Sequence, residues 1–226
     1  MEQLIQRHNS IVARTPVQFR RYMYNKIDWS NRMIGLTGPR GVGKTTLVLQ
    51  RIKQHLQGEK VLYVNMEDFY FTTHRLVDFA GQLSKRGYKY LFADEIHRYP
   101  DWSKELKLIY DYYPDLCVVF TGSSVLDIKK GVSDLSRRAV MYHMQGLSFR
   151  EYLEYAHGIV VPVHSLEQIL QQNAEVGAIE HPLAYFAEYL HNGYYPFASE
   201  SGYIEKLRQI VSMSVDADIP AFAMMS

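Results

Sequence analysis

Gly38-Pro39-Arg40-Gly41-Val42-Gly43-Lys44-Thr45, followed by Thr46, is the stretch from which the rest of the chain is read. It matches G-x-x-x-x-G-K-[ST], a pattern whose four fixed positions arise by chance on the order of once in a hundred chains of this length. The flanks raise its specificity. Met33-Ile34-Gly35-Leu36-Thr37 is a short apolar run before the loop, and Leu49, Ile52 and Leu56 recur at helical spacing after it. Strand, glycine loop, helix is the order in which phosphate-binding loops are built.

The residue types fit that chemistry. A triphosphate needs several backbone N–H groups pointing at it, and Gly38, Gly41 and Gly43 let the chain curl close with no Cβ in the way. A helix starting near Lys44 adds the positive end of its dipole. Lys44 is expected to reach the β- and γ-phosphates of ATP and the Thr45 hydroxyl to ligate Mg²⁺, while Pro39, Arg40, Val42 and Thr46 complete the nucleotide loop.

The bulk numbers set bounds on the class. The chain has 226 residues, enough for one well-buried α/β unit and a smaller helical piece. Lysine plus arginine (25) nearly balance aspartate plus glutamate (24), so a net charge of +1 supplies no footprint for nucleic acid, which is left unsupported. The single cysteine, Cys117, rules out an internal disulfide framework and reads as a small core residue. The first residues lack the apolar segment of a signal peptide, and no stretch reaches membrane-spanning length. The expected location is the cytoplasm.

Taken in order, residues 1 to 31 read as an N-terminal arm in which Trp29 and Tyr22 are packing anchors, with base stacking as the lesser alternative. Residues 32 to 146 read as the core. Val61 to Asn65 is a second strand, ending near Glu67 and Asp68. Thr73 is the expected cap of a helix carrying Leu76, Phe79, Ala80 and Leu83 on one face. Tyr90-Leu91-Phe92-Ala93-Asp94-Glu95 is an apolar run ending in paired acids, the form of a Walker B strand. Asp94 is placed to hold Mg²⁺ and Glu95 to polarise the water that attacks the γ-phosphate.

Trp102, Leu106, Ile109 and Tyr113 predict a further helix capped by Asp101 or Ser103 and broken at Pro114. Leu116 to Phe120 predicts a fourth strand, with Ser123 just beyond its tip as a sensor of the γ-phosphate or, equally, as turn chemistry. Val125 to Lys130 predicts a short helix. Arg137 and Arg138 precede a fifth, edge-type run, and Arg138 is a candidate to stabilise transferred charge against the alternative of a solvated surface arginine. From 147 to 226 the composition turns helical, with capping boxes at Ser148/Glu151 and Ser165/Gln168. The nine histidines show no metal-ligand spacing.

With these motifs in place, the chain resembles the ASCE division of P-loop ATPases, and within it the AAA+-like family of predicted prokaryotic ATPases whose loop reads G-x-R-x-x-G-K-T-T. The resemblance rests on residues 38–46, Asp94-Glu95-Ile96, Thr121-Gly122-Ser123-Ser124, Arg137-Arg138 and Leu147 to Tyr152, and covers about 32 to 155. It implies an α/β fold with a parallel five-stranded sheet of order 5-1-4-3-2, helices on both faces and a small C-terminal helical lid. It also implies that members usually continue into a further domain, which makes a fragment one expectation here. Function is expected to be Mg²⁺-dependent hydrolysis of ATP to ADP, coupled to the helical tail, a protein partner or further copies of the chain. The rival readings are an ATP-dependent switch or scaffold with negligible turnover, as in STAND-type relatives, and a small-molecule kinase. The absence of an N/T-K-x-D guanine motif favours adenine.

Overall fold

A computed structural model of the chain describes residues 1–122, 135–173, 179–213 and 215–216. The expected Val125 to Lys130 helix, together with Ser123 and Ser124, lies outside the described residues. Five parallel strands, β1 (Met33–Thr37), β2 (Val61–Asn65), β3 (Tyr90–Asp94), β4 (Cys117–Gly122) and β5 (Val140–His143), form one sheet. Their order is β2-β3-β4-β1-β5, which read from the other edge is the expected 5-1-4-3-2.

Both faces of this sheet are apolar, because parallel strands joined through helices are covered on each side. Successive side chains alternate between two cores. Met33, Leu62, Leu91, Val118 and Phe120 meet α4 (Leu76–Lys85) and α5 (Trp102–Tyr112) on one face. Ile34, Leu36, Tyr63, Phe92 and Val119 meet α2 (Lys44–His55) on the other. Strand β1 sits between β4 and β5 and is buried at all five positions, so the glycine loop springs from the middle of the fold.

The arm is an edge cover. Helix α1 (Glu2–Arg14) lies along β2, where the His8 ring nitrogen Nδ1 accepts the Tyr63 N–H at 3.0 Å and occupies part of an otherwise open sheet edge. Trp29 donates its indole N–H to the Tyr24 carbonyl at 3.2 Å and packs on the Tyr24 ring, an anchoring role.

One expected helix start and one expected capping bond are corrected. Thr73 ends the short helix α3 (Tyr70–Thr73), and α4 instead has its Val77 N–H taken by the buried Glu105 carboxylate of α5 at 2.9 Å. At α5, Asp101 occupies the cap position in the left-handed region but makes no capping hydrogen bond, turning its carboxylate to Lys104. Both capping boxes do form, on α6 (Phe149–His157) and α7 (Leu166–Leu170). Beyond them lie α8 (Pro182–Asn192) and α9 (Tyr203–Met213). Cys117 opens β4 only partly buried, and burial pushes its thiol pKa up, which favours the protonated thiol.

Candidate functional site

The loop between β1 and α2 turns through three glycines in the positive-φ region, Gly38 (146°), Gly41 (79°) and Gly43 (97°). Each has its own reason. A Cβ on Gly38 would overlap the backbone carbonyl oxygen of Met144, just past β5, and one on Gly41 would lie 2.5 Å from the Phe197 ring. Gly43 is the left-handed N-cap of α2, so the first helical amides and the helix dipole face the space enclosed by the loop. That curvature and donor set suit a polyanion.

Lys44 spans the loop. Its side chain is almost wholly buried, and Nζ donates to the carbonyls of Gly38 and Pro39, both at 2.8 Å. Burial draws its pKa down to about 8, Glu95 and Asp94 oppose that in this order, and Arg40 adds to it. The two acids at the end of β3 therefore lie close enough to act on the loop lysine.

Asp94, only 2% exposed, is a junction of three hydroxyls. Its Oδ2 accepts Thr45 Oγ1 at 2.8 Å and Tyr63 Oη at 2.6 Å, and its Oδ1 accepts Thr121 Oγ1. Thr121 in turn accepts the Glu95 N–H at 3.1 Å. The Tyr63 hydroxyl is held protonated by burial and then by Asp94, so it is a fixed donor. Glu95 follows in the left-handed region (φ 54°), a conformation that costs a non-glycine residue roughly 1 kcal/mol or more and collects at functional sites. Its carboxylate stands 3.6 Å from His97 Nε2.

The structure thus brings together Gly38, Gly41, Gly43, Lys44, Thr45, Asp94 and Glu95, and gives Thr46 a place beside them on a cavity of about 430 Å³. Phe19, Leu47, Gln50, Tyr155 and Phe197 also line that cavity, which joins arm, loop helix and tail. Val42 is fully buried and Arg40 half-buried in the loop. Tyr22 is not among the lining residues; its hydroxyl donates to Glu154 at 2.6 Å, a packing role like that of Trp29. A larger cavity, about 600 Å³, opens past the ends of β2 and β3, but its charges are spent on the pairs Glu67–Arg98, Arg75–Glu105, Asp68–Arg7 and Asp101–Lys104.

Arg138 does not join the group within one chain. It precedes β5, whose Val140 pairs with Ile34 near the start of β1, whereas the loop follows the end of β1. Its guanidinium holds Asp111 of α5 through bonds of 2.9 and 3.0 Å, and Arg137 is exposed at the same edge. Sequence reasoning passed over Tyr63 and Arg21, and it quoted Thr121 only within the run at the tip of the fourth strand, where Ser123 was the residue singled out. A tyrosine hydroxyl inside an apolar strand needs a partner when buried, which is the one signal Tyr63 offered.

Those acids, hydroxyls and glycines lie inside residues 30–153, the span matched by the family model described as AAA domain. The chain is 29% identical over 237 aligned residues to the uncharacterized protein MJ1637 of Methanocaldococcus jannaschii, an alignment that takes in 89% of this chain and 49% of the relative. The chain therefore spans about half the length of that relative. Among solved structures, PCH-2 of C. elegans aligns with 70% of this chain and 44% of its own at 19% identity and a TM-score of 0.43. With more than half of its residues inside the matched span, and with loop, acidic tip and strand order arranged as described, the chain belongs to the AAA domain family of P-loop ATPases.

Proposed function

We propose that this chain binds ATP with Mg²⁺ and hydrolyses it to ADP and phosphate, and that nucleotide state is passed to the tail. The observation that carries the reading is the hydrogen bond from Thr45 to Asp94, which joins the helix after the glycine loop to the acidic tip of β3. These two oxygens would hold the metal, and the Tyr63 and Thr121 hydroxyls keep the Asp94 carboxylate in place. Mg²⁺, when bound, neutralises charge on the β- and γ-phosphate oxygens.

The chain's own residues do the rest. The loop amides and the α2 dipole bind the phosphates, and Lys44 supplies a positive charge that burial leaves poorly solvated and therefore strong. Glu95 polarises a water whose oxygen bonds to the γ-phosphorus as the bond to the bridging oxygen of ADP breaks. The base is proposed to lie in the 430 Å³ cavity, whose lining includes Phe19, Leu47 and Tyr155. An arginine at the Arg138 position would act only on a nucleotide held by a second copy, so homo-oligomers belong to this reading. The setting proposed is cytoplasmic; among the described residues no helix is long and apolar enough to cross a membrane.

A second reading, a switch with negligible turnover, draws on the contact between Glu95 and His97. Single-turnover hydrolysis in the parent and in Glu95→Gln separates the two. The hydrolase reading expects a loss on the order of a hundredfold or more in the variant; equal, negligible rates in both proteins would leave the switch.

A further inference from the structure

Arg21 belongs to the arm, yet it is only 7% exposed and its guanidinium is held by three separate segments. Nη1 donates to the Val42 carbonyl inside the glycine loop at 2.5 Å. Nη2 donates to the Gln145 and Gly146 carbonyls, between β5 and α6, at 2.9 and 2.7 Å. Nε reaches Glu151 Oε1 at 2.8 Å, with Nη2 at 3.3 Å from Oε2. Glu151 also accepts the N–H groups of Tyr22 (2.8 Å) and Ser148 (2.9 Å), the second closing the capping box that starts α6.

A buried ion pair is a poor device for stability alone, since the cost of desolvating both charges offsets much of their attraction. What this pair holds is more telling. In a trans peptide the C=O of one residue and the N–H of the next point in opposite directions, and no cis bond occurs among the described residues. Pinning the Val42 carbonyl outward therefore aims the Gly43 N–H inward. The peptide needs pinning, because it turns about φ of Gly43, a residue with no Cβ to resist the rotation. Turned the other way, the same peptide would present a carbonyl oxygen to a bound phosphate.

We propose that Arg21 is a positioning residue for the phosphate loop, fixing the Val42–Gly43 peptide as an anion donor and linking its orientation, through Glu151, to the first helix of the tail. The role rests on the nucleotide reading given above. It also supplies a route for tail coupling: displacement of α6 carries Glu151 with it, and the guanidinium cannot follow without releasing Val42.

The test is MgATP titration calorimetry on the full chain and on Arg21→Ala, Arg21→Lys and Glu151→Gln, each held well below its own melting temperature so that the folded fraction is read. Arg21→Ala is expected to weaken binding about tenfold or more, a change of about 1.4 kcal/mol. Arg21→Lys should recover little, because one ammonium lacks the fork that reaches Val42 and Glu151 together. Glu151→Gln, which keeps the shape and leaves Val42 its donor, should fall between the parent and Arg21→Ala. In Arg21→Ala the Gly43 amide resonance should show two environments, a signature that simple loss of stability would not produce. Should Arg21→Ala fail to fold, Arg21→Lys decides. A folded arginine variant that binds MgATP as tightly as the parent overturns the proposal while leaving the nucleotide reading intact. A parent that binds no MgATP removes both.

Discussion

Helix α4 in the sheet region and helix α8 in the tail both carry large apolar residues at helical spacing, and they fare differently. In α4, Leu76, Phe79, Ala80 and Leu83 are at most 1% exposed; in α8, Leu183 is 82% and Leu190 68% exposed. None of α7, α8 and α9 buries a single described residue. An amphipathic pattern specifies a face that gains by burial, but the gain is realised only where a second apolar surface is opposed to it. The sheet supplies that surface for α2, α4 and α5. The tail is held mainly at its root, where Tyr189 donates to the Leu147 carbonyl at 2.8 Å, Leu147 donates to the Tyr194 carbonyl at 2.8 Å and Phe197 lies against Gly41.

The contrast is broken most forcefully by matched truncations. Phe120→Ala in β4 is expected to cost about 3–5 kcal/mol, because the residue is fully buried and its neighbours cannot close the void. Leu183→Ala should stay within about 0.5 kcal/mol. Urea unfolding of both variants measures the difference, and equal losses would mean that the tail shares the core's cooperativity.

A hydroxyl comparison comes next. Tyr63→Phe removes one of three donors from the buried Asp94 and is expected to cost about 1–1.5 kcal/mol. Tyr155→Phe removes a donor to the Pro196 carbonyl at an exposed position and should change the urea midpoint imperceptibly.

The two capping boxes offer the finest control, since the same chemistry sits on α6 and α7. Ser148→Ala should lower global stability by about 1 kcal/mol, whereas Ser165→Ala should fray α7 with no change in the global transition. A drop of equal size in both would place α7 in the cooperative unit.

The smallest effect is a pH dependence at the covered sheet edge. Burial lowers the His8 pKa below 6.5, and its Nδ1 can accept the Tyr63 N–H only while unprotonated. The unfolded chain thus binds this proton more readily than the folded one. The stability due to neutral His8 is complete above pH 6.5 and is lost as pH falls towards the depressed folded value. Comparing urea midpoints of the parent and His8→Gln over that window isolates the term; parallel pH profiles would contradict it.

These expectations mark what was legible in the chain itself. Strand runs, the glycine loop and the acidic tip are local patterns with a fixed period or spacing, whereas the five-strand order came from the family resemblance those motifs carry, and the sheet has that order. Asp94 and Thr45 were singled out because a metal-bound triphosphate would require those residue types at those places, and the structure sets their oxygens 2.8 Å apart. The rest depended on distance in space. Arg21 and Glu151 are 130 positions apart and nothing in either neighbourhood pairs them. Thr121 was read only as the start of the Thr121-Gly122-Ser123-Ser124 run, and its bond to Asp94 is what singles it out. The cap expected from Thr73 failed because Glu105, on another helix, takes the amide of Val77 instead. The Arg138 role was read from motif order, which is silent on which end of the sheet an arginine occupies. Its register beside the start of β1 answers that.

The central claim is that the β1–α2 loop holds a triphosphate opposite the Asp94 tip, with Lys44 as its charged contact. Calorimetric titration of MgATP into the parent and Lys44→Ala tests it most directly. The account predicts saturable binding by the parent and a loss on the order of a hundredfold or more in the variant, about 2.7 kcal/mol or beyond. Equal affinity in the two proteins would contradict it.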